Sequence, residues 1–186
     1  MFRMSYRDEI WGMGETAAWR DVLPEQGLDG LAVTGSWVRG WDSVTGDGTA
    51  GAAQIVLGEE AWRDYELRVL VTPREGGNVQ IPFRISPDGK RGYLLDVLLG
   101  WQALGVSRFG DAANGDVEKL SVVNHEFRCG TEYELELAVR GHSITSYVNG
   151  VLVNQVTAFD HPAGKLALSL WRSKATFRRP QLRRLG

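Results

Sequence analysis

The feature that most constrains the fold is a series of short segments with two-residue periodicity, joined by tight-turn sequences. Residues 133–140 (YELELAVR) alternate apolar and polar side chains, as a half-buried β-strand does. Residues 143–148 and 151–157 continue the pattern. The Asn149-Gly150 pair between them is a strong hairpin signal, because both central turn positions need positive φ. These segments predict a meander of antiparallel strands.

The same alternation recurs from about residue 30 onward, and turn-forming residues interrupt it roughly every ten residues. A Pro-Asp-Gly turn at 87–89 predicts a second hairpin. No segment of helical period stands out, so the pattern predicts an all-β sandwich or barrel rather than a βαβ fold. The other predicted strands are 62–72, 78–85, 93–99, 101–109, 119–123, 165–171 and 176–185.

Length and composition are those of one domain. A β-sandwich of 186 residues buries enough apolar surface to fold without a metal or a disulfide, and the lone Cys129 excludes an internal disulfide. Neither a linker composition nor an internal repeat divides the chain. We therefore predict an N-terminal arm at 1–18 and one β-sandwich domain at 19–186.

The charge pattern limits the classes of partner. The formal net charge is −2 and no basic block is present, so we expect no nucleic-acid partner. No stretch is long and apolar enough to span a bilayer, and we expect no membrane partner. The first residues include Arg3 and Asp8 and lack the apolar run of a secretion signal. Cytoplasmic residence and export of a trimmed chain both stay open, as does the oligomeric state.

Four ordered stretches carry a resemblance to a known family: 62–84 (WRDYELRVLVTPREGGNVQIPFR), 91–97 (RGYLLDV), 140–153 (RGHSITSYVNGVLV), and 164–170 (GKLALSL) followed by 175–185 (ATFRRPQLRRL). They resemble the concanavalin A-like jelly rolls of the 3-keto-disaccharide hydrolase domain family and, more broadly, laminin G-like sandwiches. The resemblance implies a jelly-roll β-sandwich of two antiparallel sheets whose concave sheet meets a carbohydrate.

The chain departs from this family at several polar positions. Asn78 and Arg84 keep the family's Asn and Arg, but Leu94 and Asp96 stand where the family has an acidic residue and a Gln. Ser169 stands in place of a further Gln. A fold tolerates such changes more readily than an activity does, so the preferred hypothesis is a carbohydrate-binding module that recognises a glycan or glycoside.

Asp96 is the most informative of these residues, because it interrupts the apolar strand YLLDVLL. A buried carboxylate is costly unless it is paired, so Asp96 should face a polar cleft or a partner. Arg84, on the neighbouring hairpin strand, is the predicted partner, in a pair that is either structural or ligand-facing. Asn78 and Gln80 share the predicted face of Arg84, and fixed amides beside a guanidinium suit sugar hydroxyls.

Aromatic residues complete the predicted site. Trp171 has the strand parity of Ser169 and should face the cleft, while Trp101 and Tyr147 are further candidates for stacking on sugar rings. In an alternative hypothesis, the chain is an enzyme acting on 3-keto-glycosides, with Asp96 as general base and Arg84 polarising the keto oxygen. A structural or protein-interaction sandwich is the third hypothesis. The predicted ligand-binding residues are Asn78, Gln80, Arg84, Asp96, Trp101, Tyr147, Ser169 and Trp171.

A glucanase-type pair of catalytic carboxylates is not predicted. Retaining hydrolysis needs two carboxylates about 5 Å apart, which glucanases of this fold carry as closely spaced acidic residues on one strand face. Glu132, Glu134 and Glu136 do alternate on one face, but the other face of their strand is apolar. We therefore predict that they form a solvated outer stripe.

Metal and cofactor signals are weak. The three histidines lack the close spacing of a zinc site, and no cofactor is predicted. Related sandwiches often hold a structural calcium ion, so the resemblance leaves one open here. Its oxygen donors would be the carboxylates of Asp42, Asp47 and Asp111, which lie in Gly-containing loops.

Overall fold

The computed structural model describes residues 17–110 and 117–185. Within these residues, fifteen strands form two antiparallel sheets, and the helical structure is one short 3-10 helix, η1 (Leu99–Trp101). The predicted all-β sandwich of two antiparallel sheets is confirmed. No helix in the described part is long and apolar enough to cross a membrane. Residues 1–16 lie outside the description, so the boundary of the arm at residue 18 stays a prediction.

One sheet, sheet A, contains eight of the strands. They are β1 (Arg20–Asp21), β3 (Ser36–Arg39), β4 (Ser43–Asp47), β6 (Tyr65–Glu75), β11 (Tyr133–Arg140), β12 (Ser143–Val148), β13 (Val151–Thr157) and β15 (Lys174–Arg184). Their order is β13-β12-β11-β6-β15-β4-β3, and β1 pairs with β15 beside that path. Strands β11 to β13 have the bounds expected from the sequence, since alternation and turn residues agree there.

The other sheet, sheet B, contains seven strands and carries the candidate site. They are β2 (Ala32–Thr34), β5 (Ala52–Leu57), β7 (Asn78–Phe83), β8 (Gly92–Leu98), β9 (Ala103–Phe109), β10 (Glu118–Asn124) and β14 (Leu166–Trp171). Their order is β10-β9-β8-β7-β14-β5-β2. The C-terminal stretch thus supplies β14 to the middle of sheet B and β15 to the middle of sheet A.

The two sheets enclose one apolar core, to which each central strand contributes alternate residues. Leu67 and Val69 of β6 point into it from sheet A, and Ile81 of β7 and Leu95 of β8 point into it from sheet B. The alternation predicted for β11 is confirmed, because Tyr133, Leu135, Leu137 and Val139 are buried. The glutamates of the outer stripe are less solvated than expected, since Glu134 and Glu136 are half-buried and Glu132 pairs with Arg178 at 2.7 Å. Strand β8 is buried on both faces, so its outward side chains lie at the bottom of a depression.

The predicted strand 101–109 begins two residues later than expected. Trp101 ends the helix η1, and Gln102 has a left-handed backbone (φ 50°). The Gln102 amide donates to the Leu99 carbonyl at 2.7 Å and accepts from the Phe127 N–H at 2.8 Å. This side chain stabilises a corner before β9, which the local alternation of the sequence does not signal.

Candidate functional site

The outer face of sheet B carries a groove of about 710 Å³. That volume lies within the range typical of small-molecule sites. Side chains from β5, β7, β8, β10 and β14 line it, together with the β7–β8 loop around Pro87 and Asp88. Strands that are distant in sequence therefore contribute to one concave surface.

A row of polar side chains crosses the floor of the groove. Gln54 of β5 pairs with Ser169 of β14, Ser169 pairs with Gln80 of β7, and Gln80 pairs with Asp96 of β8. Residues paired directly across antiparallel strands point to the same side, with Cβ atoms about 5 Å apart. The register thus aligns two amides, a hydroxyl and a carboxylate, and we call these four residues the polar row.

The neighbouring rows differ in character. On one side, Pro82 pairs with Leu94, which gives an apolar strip of the groove. On the other side, Trp171 pairs with Asn78. The Trp171 side chain lines the groove and is 48% exposed, so part of its indole is accessible to a ligand. The groove therefore places hydrogen-bonding groups between an apolar strip and an aromatic ring.

Asp96 is 1% exposed, and its two oxygens have different surroundings. Oδ2 accepts hydrogen bonds from the amides of Asn78 and Gln80, both at 3.4 Å, and lies 3.5 Å from the Lys119 ammonium. Oδ1 has no hydrogen-bond partner among the described residues. Burial raises the pKa of Asp96, and the Lys119 charge and the two amides oppose that rise only in part. A buried acceptor is thus left unused at the floor of the groove.

The predicted Arg84–Asp96 ion pair is wrong. Strand β7 ends at Phe83, and Arg84 has a left-handed backbone (φ 48°), so the strand alternation does not continue through it. Its side chain is 1% exposed and donates to the Arg63 carbonyl at 3.1 Å and to Asp64 at 3.4 Å. Burial lowers the pKa of the Arg84 guanidinium. Arg84 does not line the groove, so the role of polarising a substrate there does not fit its position.

The predicted aromatic residues are only partly brought together. Tyr147 lies on β12 of sheet A and lines a separate depression beside Thr145, so its assignment to the same site is wrong. Trp101 is 66% exposed and lies outside the groove lining. It borders the groove, since the Lys119 ammonium is 5.8 Å from its ring centre. Trp171 lies in the groove itself.

The structure adds residues that the sequence did not identify. Gln54, Asp88, Lys119 and Lys165 also line the groove. Gln54 is a polar residue in the apolar strand AAQIVL, just as Asp96 is in YLLDVLL, so the same sequence pattern points to both residues. Asp88 accepts from the Ser86 hydroxyl at 2.6 Å and from the Lys90 N–H at 3.0 Å, and these bonds lower its pKa. Its carboxylate therefore serves the turn of the β7–β8 loop.

Two of the proposed calcium donors already have cationic side chains beside them. Asp42 pairs with Arg178 at 3.5 Å. Asp47 accepts from the Thr49 hydroxyl at 2.6 Å and lies 3.4 Å from the Lys174 ammonium. Asp111 lies outside the described residues. Over 17–110 and 117–185, no group of three or more His, Cys, Asp or Glu side chains is arranged to hold a metal. Structural calcium stays a prediction from the resemblance.

Comparison with solved structures identifies similar folds. The carbohydrate-binding module CBM66 from Bacillus subtilis matches with a TM-score of 0.70 and 20% identity, over 90% of this chain and 96% of that one. The exoplasmic/lumenal domain of VIP36, in its Ca²⁺/Man3GlcNAc-bound form, matches with a TM-score of 0.65 and 12% identity, over 84% of this chain and 85% of that one. These similarities confirm the predicted jelly-roll architecture.

Sequence comparison gives a curated relative and a family. An extracellular exo-alpha-L-arabinofuranosidase from Streptomyces chartreusis is 28% identical over 118 residues, which are 62% of this chain and 14% of that protein's length. The model of the 3-keto-alpha-glucoside-1,2-lyase-like domain matches residues 14–183. This match confirms the resemblance drawn from the four sequence segments. The chain belongs to the 3-keto-alpha-glucoside-1,2-lyase-like domain family.

Proposed function

We propose that this domain is a carbohydrate-binding module that holds a glycan or glycoside in the groove of sheet B. The observation that carries the proposal is the polar row of Gln54, Ser169, Gln80 and Asp96 beside the half-exposed ring of Trp171. A sugar ring presents hydroxyls at its edges and C–H groups on its faces. The polar row suits the hydroxyls, and the indole suits the C–H face.

The hydrogen-bonding capacity of the floor fits a polyol. Each amide of Gln54 and Gln80 can both donate and accept, and the Ser169 hydroxyl can do the same. Asp96 Oδ1 is a buried acceptor without a donor in the described structure. Because this oxygen is covered by the floor side chains, a sugar hydroxyl would reach it only after those side chains move, and the bond would then be charge-assisted.

The comparisons support the same proposal. CBM66 is by name a carbohydrate-binding module, and the VIP36 domain was crystallised with Man3GlcNAc. The curated relative is named as an arabinofuranosidase, and the chain spans about 14% of its length. This arrangement supports a domain that accompanies a glycan-active enzyme, in which the groove would bring the enzyme to its substrate.

A glycan array followed by titration calorimetry tests the proposal. We expect at least one glycan to bind, and Gln80→Ala and Trp171→Ala to weaken its binding. Tyr147→Ala is the matched control, because that aromatic ring lies on sheet A, away from the groove. If the folded protein binds no glycan, or if Tyr147→Ala weakens binding as much as Trp171→Ala, the proposal fails.

A second candidate function is the processing of 3-keto-glycosides, which the buried carboxylate of Asp96 and its raised pKa favour. The carbonyl at C3 acidifies the C2–H, and Asp96 would take that proton. The electron pair would form the C1–C2 double bond as the C1–O bond breaks, and the leaving alkoxide would take a proton from water. Lys119, 3.5 Å from Asp96, is the cation placed to stabilise the enolate oxygen, rather than Arg84.

Incubation with a methyl 3-keto-glucoside, with chromatographic detection of released methanol and of the unsaturated sugar, tests this second candidate. We expect loss of turnover in Asp96→Asn if the reaction occurs at this site. Turnover that is unchanged in Asp96→Asn would exclude Asp96 as the base. Glycan binding without any turnover would leave the binding module as the function.

A further inference from the structure

Arg172 has an unusual backbone for a residue at the end of a groove strand. It follows the last residue of β14 directly, its side chain is exposed, and its φ is 48°. The left-handed region is unfavourable for a residue with a Cβ, and glycine is the usual choice there. The sequence therefore keeps a long cationic side chain at a position where glycine would be less strained.

The surrounding structure fixes this backbone. The N–H of Arg172 donates to the Gly51 carbonyl at 2.9 Å. On the other side, a Cβ on Gly77 would overlap the carbonyl oxygens of Trp171 and Arg172, so the turn at Gly76-Gly77 packs directly against them. These contacts involve only the backbone of Arg172, and they would persist with any side chain. The fold therefore does not explain the arginine.

Two other left-handed residues, Gln102 and Arg84, make side-chain contacts that Arg172 lacks, and Arg179, which is also left-handed and exposed, lies on β15 of sheet A. Gln102 stabilises the corner before β9, and Arg84 is buried against Arg63 and Asp64. The Arg172 guanidinium has no hydrogen bond and no ion pair with any described residue, and its partner is the Trp171 ring, 5.6 Å away. Arg172 itself is not among the groove-lining residues, but its contact with Trp171, which is, places the guanidinium beside a ring that a ligand in the groove would touch.

The same end of the groove has a second pair of an indole and a cation. Trp171, Asn78 and Leu98 lie in register across three strands, and η1, which contains Trp101, begins directly after Leu98. The Lys119 ammonium approaches the Trp101 ring but is also the ion-pair partner of Asp96. Arg172 is thus the cation at this end without an acidic partner in the described structure.

We infer that the groove prefers an acidic glycan, in which the sugar contacting Trp171 carries a carboxylate or a sulfate ester that Arg172 binds. This inference rests on the proposed glycan binding. A guanidinium binds both anions through two parallel N–H···O bonds, and stacking on an indole restricts its orientation beforehand. Arg172 is then a residue that sets specificity, and the polar row binds the hydroxyls in acidic and neutral sugars alike.

Two matched pairs of probes test the inference by calorimetry. One pair is trigalacturonic acid and its methyl ester, and the other is a chondroitin 4-sulfate tetrasaccharide and its desulfated form. We expect the acidic member of at least one pair to bind about five- to tenfold more tightly than its partner at low salt. The pair that shows the difference identifies the anion as a carboxylate or a sulfate.

Variants at position 172 separate specificity from folding. Arg172→Gln and Arg172→Gly should bring the acidic-to-neutral ratio close to one, and Arg172→Lys should keep part of it. Arg172→Gly should also raise the melting temperature, because it relieves the left-handed strain. Arg20→Gln, at an exposed arginine of β1 in sheet A, is the control for net charge and should leave the ratio unchanged.

Equal affinity for the acidic and neutral members of both pairs, or a ratio that persists in Arg172→Gln, would overturn the inference. The proposed function would survive that result if neutral glycans bind and Trp171→Ala weakens their binding. Failure of every glycan on the array to bind would overturn both.

Discussion

Replacement of Asp96 by asparagine should make the protein more stable at neutral pH while weakening the binding of its glycan. Asparagine has nearly the shape of aspartate, and its carbonyl oxygen can accept the amides of Asn78 and Gln80 in place of Oδ2. The amide nitrogen then takes the place of the unpartnered Oδ1. The variant thus removes a buried charge without leaving a cavity.

The expected change in the free energy of unfolding in Asp96→Asn follows from two opposing contributions. The variant exchanges an unpartnered oxygen of a charged carboxylate for an unpartnered neutral N–H donor, and an unpartnered buried group costs about 1–3 kcal/mol when neutral and more when charged. The variant loses the ion pair with Lys119, whose side chain is 34% exposed and can return to water, so that loss is about 1 kcal/mol or less. The net gain is about 1 kcal/mol, which for a domain of this size raises the melting temperature by roughly 2–4 °C.

The pH dependence gives a sharper test. Burial raises the folded-state pKa of Asp96 above its unfolded value of about 3.9. Between these two values the folded state binds more protons than the unfolded state, so wild-type stability falls as pH rises through this window. Below the unfolded pKa, Asp96 is neutral in both states and this cost is absent. Asp96→Asn has no such slope.

Calorimetric melting of wild type and Asp96→Asn from about pH 4 to pH 8 measures this difference. We expect the stability advantage of the variant to be small at the acidic end and to grow until the pH passes the folded-state pKa. All other titrating groups are shared and cancel to first order. A variant that is less stable at neutral pH, or an advantage that does not grow with pH, would refute the interpretation of Asp96 as a costly, unsatisfied carboxylate.

Substitutions at three further positions test other parts of the proposed site and fold. Trp171→Ala should weaken glycan binding about tenfold by calorimetry, because a sugar covering roughly 60 Å² of the indole contributes about 1.5 kcal/mol. An unchanged affinity would exclude Trp171 from the site. Arg84→Ala should lower the free energy of unfolding in urea by about 3 kcal/mol, and Arg84→Met by much less, because methionine fills the volume without a buried charge. Neither variant should change glycan affinity. A tenfold loss of glycan affinity in Arg84→Met would show that Arg84 belongs to the binding site. Gly77→Ala should lower the free energy of unfolding by about 2–3 kcal/mol in the same urea assay, since the added Cβ overlaps the backbone of Trp171 and φ is 49°. A variant as stable as wild type would contradict the close approach of the Gly76-Gly77 turn.

Local sequence pattern was enough to predict much of the fold. The bounds of β11, β12 and β13 agree with the sequence, because strand alternation and the Asn149-Gly150 turn specify the same hairpins. Strand parity also placed Asn78 and Gln80 on one face of β7, and Ser169 and Trp171 on one face of β14. These relations depend on neighbours in the chain, which is why a single sequence contains them.

The errors arose where a side chain's position depends on distant parts of the chain. Arg84 follows the strand pattern in the sequence, but the left-handed backbone after Phe83 turns it away from the groove. Parity places Tyr147 on an outer face without specifying which sheet it belongs to. Gln54 joins the polar row only through the pairing of β5 with β14, which are more than a hundred residues apart.

Mapping of the bound glycan by NMR tests the proposed site most directly. With the tightest glycan from the array added to labelled protein, we predict shifts in the side-chain amides of Gln54 and Gln80 and in the indole N–H of Trp171. The indole N–H of Trp37, which donates to the Thr34 carbonyl at 3.0 Å, should stay unchanged, as should the backbone around Tyr147 on sheet A. Shifts confined to sheet A, with the signals of Gln80 and Trp171 unmoved, would contradict a glycan site in the groove.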